Sequence, residues 1–155
     1  MPLRDNIWRD TVAVLRRKEV PSVAPATSVQ SAVSTMQAHR TGCITVHDGK
    51  RLVGIFTERD LLKRVLARGQ SLKGPISDFM TANPTTAGEG EAIGSVIKKM
   101  RDGGYRHLPV LDANGTIKGR ISVREIIHYM VEHFPKDVYN LPLKPGQVQS
   151  SREGA

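Results

Sequence analysis

The chain contains an internal duplication. Residues 20–66 align with residues 84–131 at an offset of 64 positions, which becomes 65 after a one-residue insertion. This period exceeds the roughly 20–50 residues of solenoid repeats. The duplication therefore predicts two copies of one supersecondary unit that pack together. A cleft between two such pseudo-symmetric halves is a natural position for a ligand.

Each copy has the periodicities of a strand, a helix, two further strands and a second helix. Ser28 precedes an apolar stripe of the first copy and is suited to cap that helix. In the second copy, apolar residues at i, i+3, i+4 and i+7 from Ile93 predict an amphipathic helix, and Asn114-Gly115 favours a type I′ hairpin turn. The predicted strands cover residues 21–24, 43–47 and 51–56 in the first copy and 107–111 and 116–121 in the second.

The duplication also sets the expected boundaries. The N-terminal segment, residues 1–18, is expected to contain a lead-in helix over 12–17. The rest divides into a first unit (19–68), a polar glycine-containing linker (69–78), a second unit (79–134) and a partly disordered tail (135–155).

Composition narrows the partners and the compartment. The formal net charge of +8 favours anionic partners but equally suits a solvated basic surface. Only 5% of residues are aromatic, which argues against base stacking, so no specific nucleic-acid binding is expected. The apolar runs are too short for a membrane span, and the N-terminus does not resemble a secretion signal. The single cysteine, Cys43, suits a reducing compartment, and the cytoplasm is expected.

Two strand-to-helix junctions carry most of the chemistry. The stretches GIFTERD and GRISVRE each place a glycine, a hydroxyl residue and an acid at one spacing before an apolar helix. Thr57 with Asp60, and Ser122 with Glu125, match the capping box, in which hydroxyl and carboxylate satisfy free N–H groups of the first turn. A helix N-terminus also suits a phosphate, and an adjacent carboxylate suits a ribose diol. The doubling favours a nucleotide-binding role beside the cap.

The sequence favours no catalytic function. Its five histidines are scattered, and none pairs at i, i+4 on one helix as a metal site would prefer. Cys43 falls on a predicted core strand, where a buried apolar role is expected. P-loop, nucleophile-elbow and H-E-x-x-H patterns do not occur. We expect no enzymatic activity, no metal and no required cofactor.

The chain resembles a tandem pair of CBS domains, named after cystathionine β-synthase and often called a Bateman module. Beside the two junctions, Met80-Thr81 with Pro84 and Thr86, and then His107-Leu108-Pro109-Val110, match the family in order. The resemblance covers about residues 8–134. It implies an α+β fold of two β-α-β-β-α units packed through their sheets about a pseudo-twofold axis. It also implies two clefts that bind AMP, ADP, ATP, S-adenosylmethionine or NAD.

The resemblance assigns roles to the junction residues. Thr57 and Asp60 match the family's phosphate- and ribose-contacting pair, and Ser122 matches the hydroxyl of the second copy. Glu125 stands where the family usually has aspartate. Its extra methylene is expected to move the carboxylate outward by roughly 1.5 Å. We therefore expect the cleft with Asp60 to bind an adenine nucleotide more tightly.

The resemblance also implies that each cleft takes strand contacts from the opposite copy. Thr86 is then expected to face Asp60, and Ser22 to face the second junction. Arg106 and His107 are expected within reach of a phosphate. His107 has an alternative interpretation as a half-buried strand histidine without a ligand role.

Three functions remain open. The first is a stand-alone regulatory homodimer that binds an adenine nucleotide and signals to an unknown partner protein. The second is a ligand-free interaction module with degenerate clefts, whose motifs survive only as helix caps. The third is a nucleic-acid binder. The homodimer is expected because the last helix of each unit has an apolar face, formed by Leu61, Leu62 and Val65 in the first and by Ile126, Ile127 and Met130 in the second.

Overall fold

The computed structural model describes residues 3–134 and contains two units of the predicted type. The chain starts with α1 (Leu3–Arg9) and a 3-10 turn (Val12–Val14). The first unit consists of β1 (Ser22–Val23), α2 (Val29–Ala38), β2 (Cys43–Asp48), β3 (Arg51–Thr57) and α3 (Glu58–Asp60, continued as a π-helix over Leu61–Leu66). A 3-10 turn (Ile76–Asp78) and β4 (Thr81–Ala82) lead to the second unit, which consists of β5 (Ala87–Gly88), α4 (Ile93–Gly103), β6 (His107–Leu111), β7 (Ile117–Ser122) and α5 (Val123–His133). The tail predicted at 135–155 lies outside the described residues.

Each sheet is completed by a segment from outside its own unit. β1 pairs parallel with β2, β2 antiparallel with β3, and β3 antiparallel with β4, which leads into the second unit. The second sheet has the order β5-β6-β7. At its equivalent edge Lys18, which leads into the first unit, bridges Arg120 of β7. Gly119 permits this approach, because its φ is +100° and a Cβ there would lie 2.7 Å from the Lys18 carbonyl oxygen.

Each apolar core also contains residues from a segment outside its own unit. Val12 and Leu15 of the N-terminal segment lie in the core of the second unit. Ile76 lies in the core of the first unit, although it belongs to the predicted linker. Helix α1 also packs on α4, where the ring of Trp8 covers Gly94. The N-terminal segment is therefore a structural part of the second unit.

The helix predicted over 12–17 is wrong in position. Helix α1 ends at Arg9, and Val12–Val14 form only a 3-10 turn. Tertiary contacts decide this, because the Val12 N–H donates to the Glu91 carbonyl over 2.9 Å and the side chains of Val12 and Leu15 enter the core. The backbone is extended at Leu15 and reaches the β7 edge at Lys18.

The type I′ turn predicted at Asn114-Gly115 is also wrong. That turn needs positive φ at both central residues, but only Gly115 of the two has it, at 78°. Asp112 organises the loop instead, because its Oδ1 accepts the N–H groups of Asn114 and Thr116 over 2.9 Å each. The loop is thus stabilised by a side chain at its first position.

Several buried strand residues belong to neither core, among them Cys43, Thr45, Ile55 and Arg120. Each is next to a core residue in its strand. Because successive side chains of a strand point to opposite faces, its side chain lies on the face of the sheet away from that core. Arg120 and Glu125 of the second unit both act on the pKa of Cys43 in the first. The two sheets therefore face each other, and the predicted packing of the units through their sheets is confirmed.

The exposed apolar faces differ from the predicted ones. Val65 and Ile126 are buried in the cores of their own units. The last helix of each unit (α3 with its π-helical continuation, and α5), called here the closing helix, packs the side that carries these residues on its sheet. Leu62 is 61% exposed and Ile127 is 52% exposed. One turn away from each, Leu66 and Val123 are exposed as well. The apolar surface is thus a pair of i, i+4 stripes, one on each unit.

Candidate functional site

Thr57 ends β3 and caps α3. The Asp60 N–H donates to Thr57 Oγ1 over 3.2 Å, while the Thr57 N–H and hydroxyl donate to Asp60 Oδ2 over 3.1 and 3.2 Å. Arg64 Nε lies 3.5 Å from Oδ1 of the same carboxylate. The predicted capping box is confirmed, and it holds the Asp60 carboxylate in a fixed orientation.

Ser122 ends β7 and caps α5 in the same way. Its N–H donates to Glu125 Oε2 over 2.7 Å, its hydroxyl donates to the same oxygen, and the Arg124 N–H donates to the hydroxyl over 3.2 Å. Burial alone would raise the pKa of Glu125, but the hydrogen bonds from Ser122 outweigh it and hold that pKa below its usual value. The longer side chain of Glu125 thus makes a capping box like that of Asp60, and the outward displacement of its carboxylate stays a prediction.

His107 opens β6 opposite Ser122 in the antiparallel register. Its Nδ1 lies 3.2 Å from Arg120 Nη1. Because a guanidinium only donates, Nδ1 is the acceptor and the ring is neutral with its proton on Nε2. Burial lowers the pKa of His107, and the charges of Arg120 and Arg106 lower it further. Arg106 is exposed, and its carbonyl accepts the Val123 N–H over 3.2 Å.

Arg120 is a buried cation close to His107 and Glu125 that the sequence did not single out. Its side chain points from β7 toward the first unit, and the residue is only 7% exposed. Among the described residues, its Nε is the one buried side-chain nitrogen or oxygen with no hydrogen-bond partner. The available signal was a comparison of the copies, because the first unit has the apolar Ile55 at the equivalent position.

Ser22 and Thr86 lie at the first strands of their sheets. Ser22 Oγ is 2.8 Å from Thr45 Oγ1, and the Thr86 carbonyl accepts Lys99 Nζ over 2.9 Å. Lys99 also pairs with Glu91 over 2.7 Å. Within residues 3–134, no hydrogen bond joins Ser22 or Thr86 to either capping box. Their contact with a ligand from the opposite copy stays a prediction.

Two surface cavities occupy equivalent places in the two units. Each lies between the closing helix of one unit and the segment that leads into the other. The first, of about 470 Å³, is lined by Arg64, Arg68, Gln70, Asp78 and Phe79. The second, of about 410 Å³, includes Glu125 among its lining residues, with Lys18, Arg124 and His128. Of the two, the second therefore includes a predicted site residue.

Within 3–134, no group of three or more His, Cys, Asp and Glu side chains is placed to hold a metal ion. None of the helices in that region combines the length and the apolarity that a membrane crossing needs.

Two strand-exchanging β-α-β-β-α units that face each other through their sheets define a tandem-domain module. The CBS domain family model matches the chain twice, over residues 12–67 and 76–132. The chain belongs to the CBS domain family, and the predicted resemblance is confirmed.

Three relatives illustrate the similarity. An uncharacterized 17.7 kDa protein of Acidianus ambivalens is 29% identical, over 78% of this chain and 73% of its own length. A Pyrobaculum aerophilum CBS domain protein complexed with AMP has 25% identity, a TM-score of 0.68, and coverage of 75% of this chain and 89% of that one. The CBS domain pair of protein MJ0100, in complex with 5′-methylthioadenosine and S-adenosyl-L-methionine, has 26% identity, a TM-score of 0.69, and coverage of 79% and 97%. Several other curated relatives are much longer, and the chain spans only 23% of one and 19% of another.

Proposed function

We propose that this protein is a regulatory module without catalytic activity that binds an adenine nucleotide such as AMP, ADP or ATP between its two units. The observation that carries the proposal is the pair of capped junctions, Thr57 with Asp60 and Ser122 with Glu125, on two sheets that face each other. Relatives of the same fold hold AMP, 5′-methylthioadenosine or S-adenosylmethionine, which supports an adenosine ligand here. S-adenosylmethionine and NAD remain further possible ligands.

Each junction residue has a role in this proposal. The Asp60 carboxylate accepts hydrogen bonds from the ribose diol, and the Thr57 hydroxyl contacts phosphate or ribose. Thr86 contributes from the opposite unit, and Arg106 and His107 lie on the phosphate side. In the second cleft, Ser122, Glu125 and Ser22 hold the equivalent positions. There the carboxylate is buried under its own cap, so the second cleft is the weaker one.

The signal passes to a partner protein through a homodimer in the cytoplasm. The exposed stripes Leu62/Leu66 and Val123/Ile127 are the apolar surfaces that self-association would cover. Cys43 is a free, buried thiol, which agrees with a reducing compartment.

A nucleotide panel read by thermal shift tests the proposal. Purified protein is melted with AMP, ADP, ATP, NAD, S-adenosylmethionine and GMP at millimolar concentration. An adenosine ligand at 100 times its dissociation constant should stabilise the fold by about 2.7 kcal/mol. GMP is the matched control for the base. No shift with any adenosine compound would contradict the proposal.

One observation favours an interaction module as the second candidate. Both junction carboxylates already accept hydrogen bonds from their own capping residues. That arrangement is also expected if the clefts are degenerate and the motifs survive as caps. In that case the panel gives no shift and the homodimer forms without a ligand.

A further inference from the structure

The face between the two units carries its cations on one side only. At three equivalent positions the first unit has Gly42, Cys43 and Ile55, whereas the second has Arg106, His107 and Arg120. His107 and Arg120 are both drawn into this face and lie 3.2 Å apart at Nδ1 and Nη1. The duplication has thus kept the fold of the two halves while making only one of them basic.

The guanidinium of Arg120 is not fully satisfied. The residue is more than nine-tenths buried, and its Nε–H has no hydrogen-bond partner among the described residues. Buried polar groups are normally hydrogen-bonded, and a buried charge normally has a partner of opposite sign. A buried cation with a free N–H therefore indicates that an acceptor is missing.

Glu125 is the nearest candidate for that acceptor, but it is otherwise engaged. Its Oε2 accepts both the N–H and the hydroxyl of Ser122. The charge of Arg120 helps to lower the pKa of Glu125. Even so, Arg120 Nε has no hydrogen-bond partner among the described residues. The acceptor therefore has to come from outside the described residues.

The position of Arg120 indicates which cleft it serves. Arg120 acts on the pKa of Cys43, so the guanidinium lies close to the first unit at that residue. Cys43 in turn pairs with Thr57 in the β2–β3 register. Arg120 therefore lies near the strand end that carries the Thr57 and Asp60 junction, as does Glu125, whose charge acts on the same thiol.

We infer that Arg120 is a ligand-binding residue whose Nε–H donates to an anionic group at the 5′ position of the bound adenosine compound. This inference rests on the proposed function and deepens it by naming the ligand class. Arginine is suited to phosphate because its planar donors match phosphate oxygens. Arg106 adds a second positive charge, and the neutral His107 ring orients the guanidinium. The module then selects nucleotides that carry a 5′-phosphate over adenosine compounds with a neutral 5′ group.

Two ligands and three variants test this inference. AMP and 5′-methylthioadenosine share the adenosine and differ at the 5′ group, phosphate against a neutral thioether. Their dissociation constants are measured by calorimetry for the wild type, Arg120→Met, Arg120→Lys and Arg101→Met. Arg101 is the matched control, because it is an exposed arginine of α4 that pairs with its exposed neighbour Asp102. Replacing a buried, unpaired charge by an apolar side chain is often tolerated by the fold, so Arg120→Met should melt cooperatively.

The wild type should prefer AMP, and Arg120→Met should weaken AMP about ten- to a hundredfold while leaving 5′-methylthioadenosine unchanged. Arg120→Lys keeps the charge without the planar donors and should lose part of the preference; it also replaces Arg120→Met if that variant does not fold. Arg101→Met should behave as the wild type. Equal weakening of both ligands, or no weakening of either, would overturn the role of Arg120. If neither ligand binds the wild type, the proposed function fails instead.

Discussion

The hydroxyl of Tyr129 in α5 donates a hydrogen bond to the carboxylate of Asp10, 119 positions earlier in the chain. Burial and this carboxylate both raise the pKa of Tyr129, so the phenol stays protonated and remains the donor. The bond joins the end of the second unit to the segment that precedes the first. It is one of several contacts that make the N-terminal segment part of the second unit.

This dependence predicts the effect of truncating a single side chain. Leu15 is 5% exposed and Val14 is 54% exposed, although they are neighbours in the sequence. Leu15→Ala should lower the free energy of unfolding by about 2–5 kcal/mol, because it leaves a cavity in the second core. Val14→Ala should change it by no more than about 0.5 kcal/mol. Urea denaturation measures both, and equal effects would mean that the segment does not complete that core.

The burial of His107 beside Arg120 predicts that stability falls in mild acid. The pKa of His107 is lowered in the folded state, so the unfolded chain takes up the proton first as the pH falls below about 6.5. The stabilising contribution is complete above that value and is lost below it. His107→Asn keeps an acceptor near Nδ1 but does not titrate, so its melting temperature should fall less between pH 7.5 and 5.5 than that of the wild type.

His47 must be considered in the same experiment, because burial also lowers its pKa. The wild type and His107→Asn both retain His47, so its contribution cancels in their comparison. His128→Asn, at an exposed position on α5, serves as the control and should follow the wild type. An unchanged pH profile in His107→Asn would contradict the lowered pKa of His107.

The two capping boxes predict unequal responses to a ligand. Asp60→Asn should remove most of the stabilisation that an adenine nucleotide gives, because a ribose diol loses a charged acceptor worth about ten- to a hundredfold in affinity. Glu125→Gln should leave the ligand-induced shift nearly unchanged. Loss of the cap can itself lower stability by about 1 kcal/mol. Each variant is therefore compared with and without ligand in a thermal melt, and the reverse pattern would assign the tighter site to Glu125.

The two exposed stripes predict the assembly. Light scattering should show twice the chain mass of 17.0 kDa for the wild type. Leu62→Glu together with Ile127→Glu should give the monomer, because each carboxylate would be desolvated in a shared interface. Leu72→Glu is the control, since Leu72 is exposed but lies in the segment between the units. A monomeric wild type at tens of micromolar would end the homodimer proposal.

Local chemistry explains what could be predicted from the sequence. The apolar periodicity from Ile93 is a local pattern, and so are the hydroxyl and the acid at each junction. The sequence alone therefore predicts most of the strands and helices and both caps. The duplication then supplied the pairing of the units. These features need no knowledge of distant contacts.

Contacts between residues far apart in the chain explain where prediction from the sequence fails. A helix was predicted over 12–17, but Val12 is fixed by the loop before α4, some 80 residues away. The burial of Arg120 depends on a facing sheet that only the tertiary structure provides. Val65 and Ile126 lie on apolar helix faces, and the pattern alone does not separate the side toward the core from the side toward solvent. The contacts between ligand and strand residues stay predictions for the same reason.

The exchanged edge segments bear on how such a chain arises. A single ancestral unit preceded by one such segment would have to lend it to another copy, so it would be stable only as a swapped pair. Fusing two copies would make that encounter intramolecular and independent of concentration. It would also let the copies diverge, since one half could gain Arg120 while the other kept Ile55. A cut between the halves would leave each fragment without the edge segment that the other half supplies.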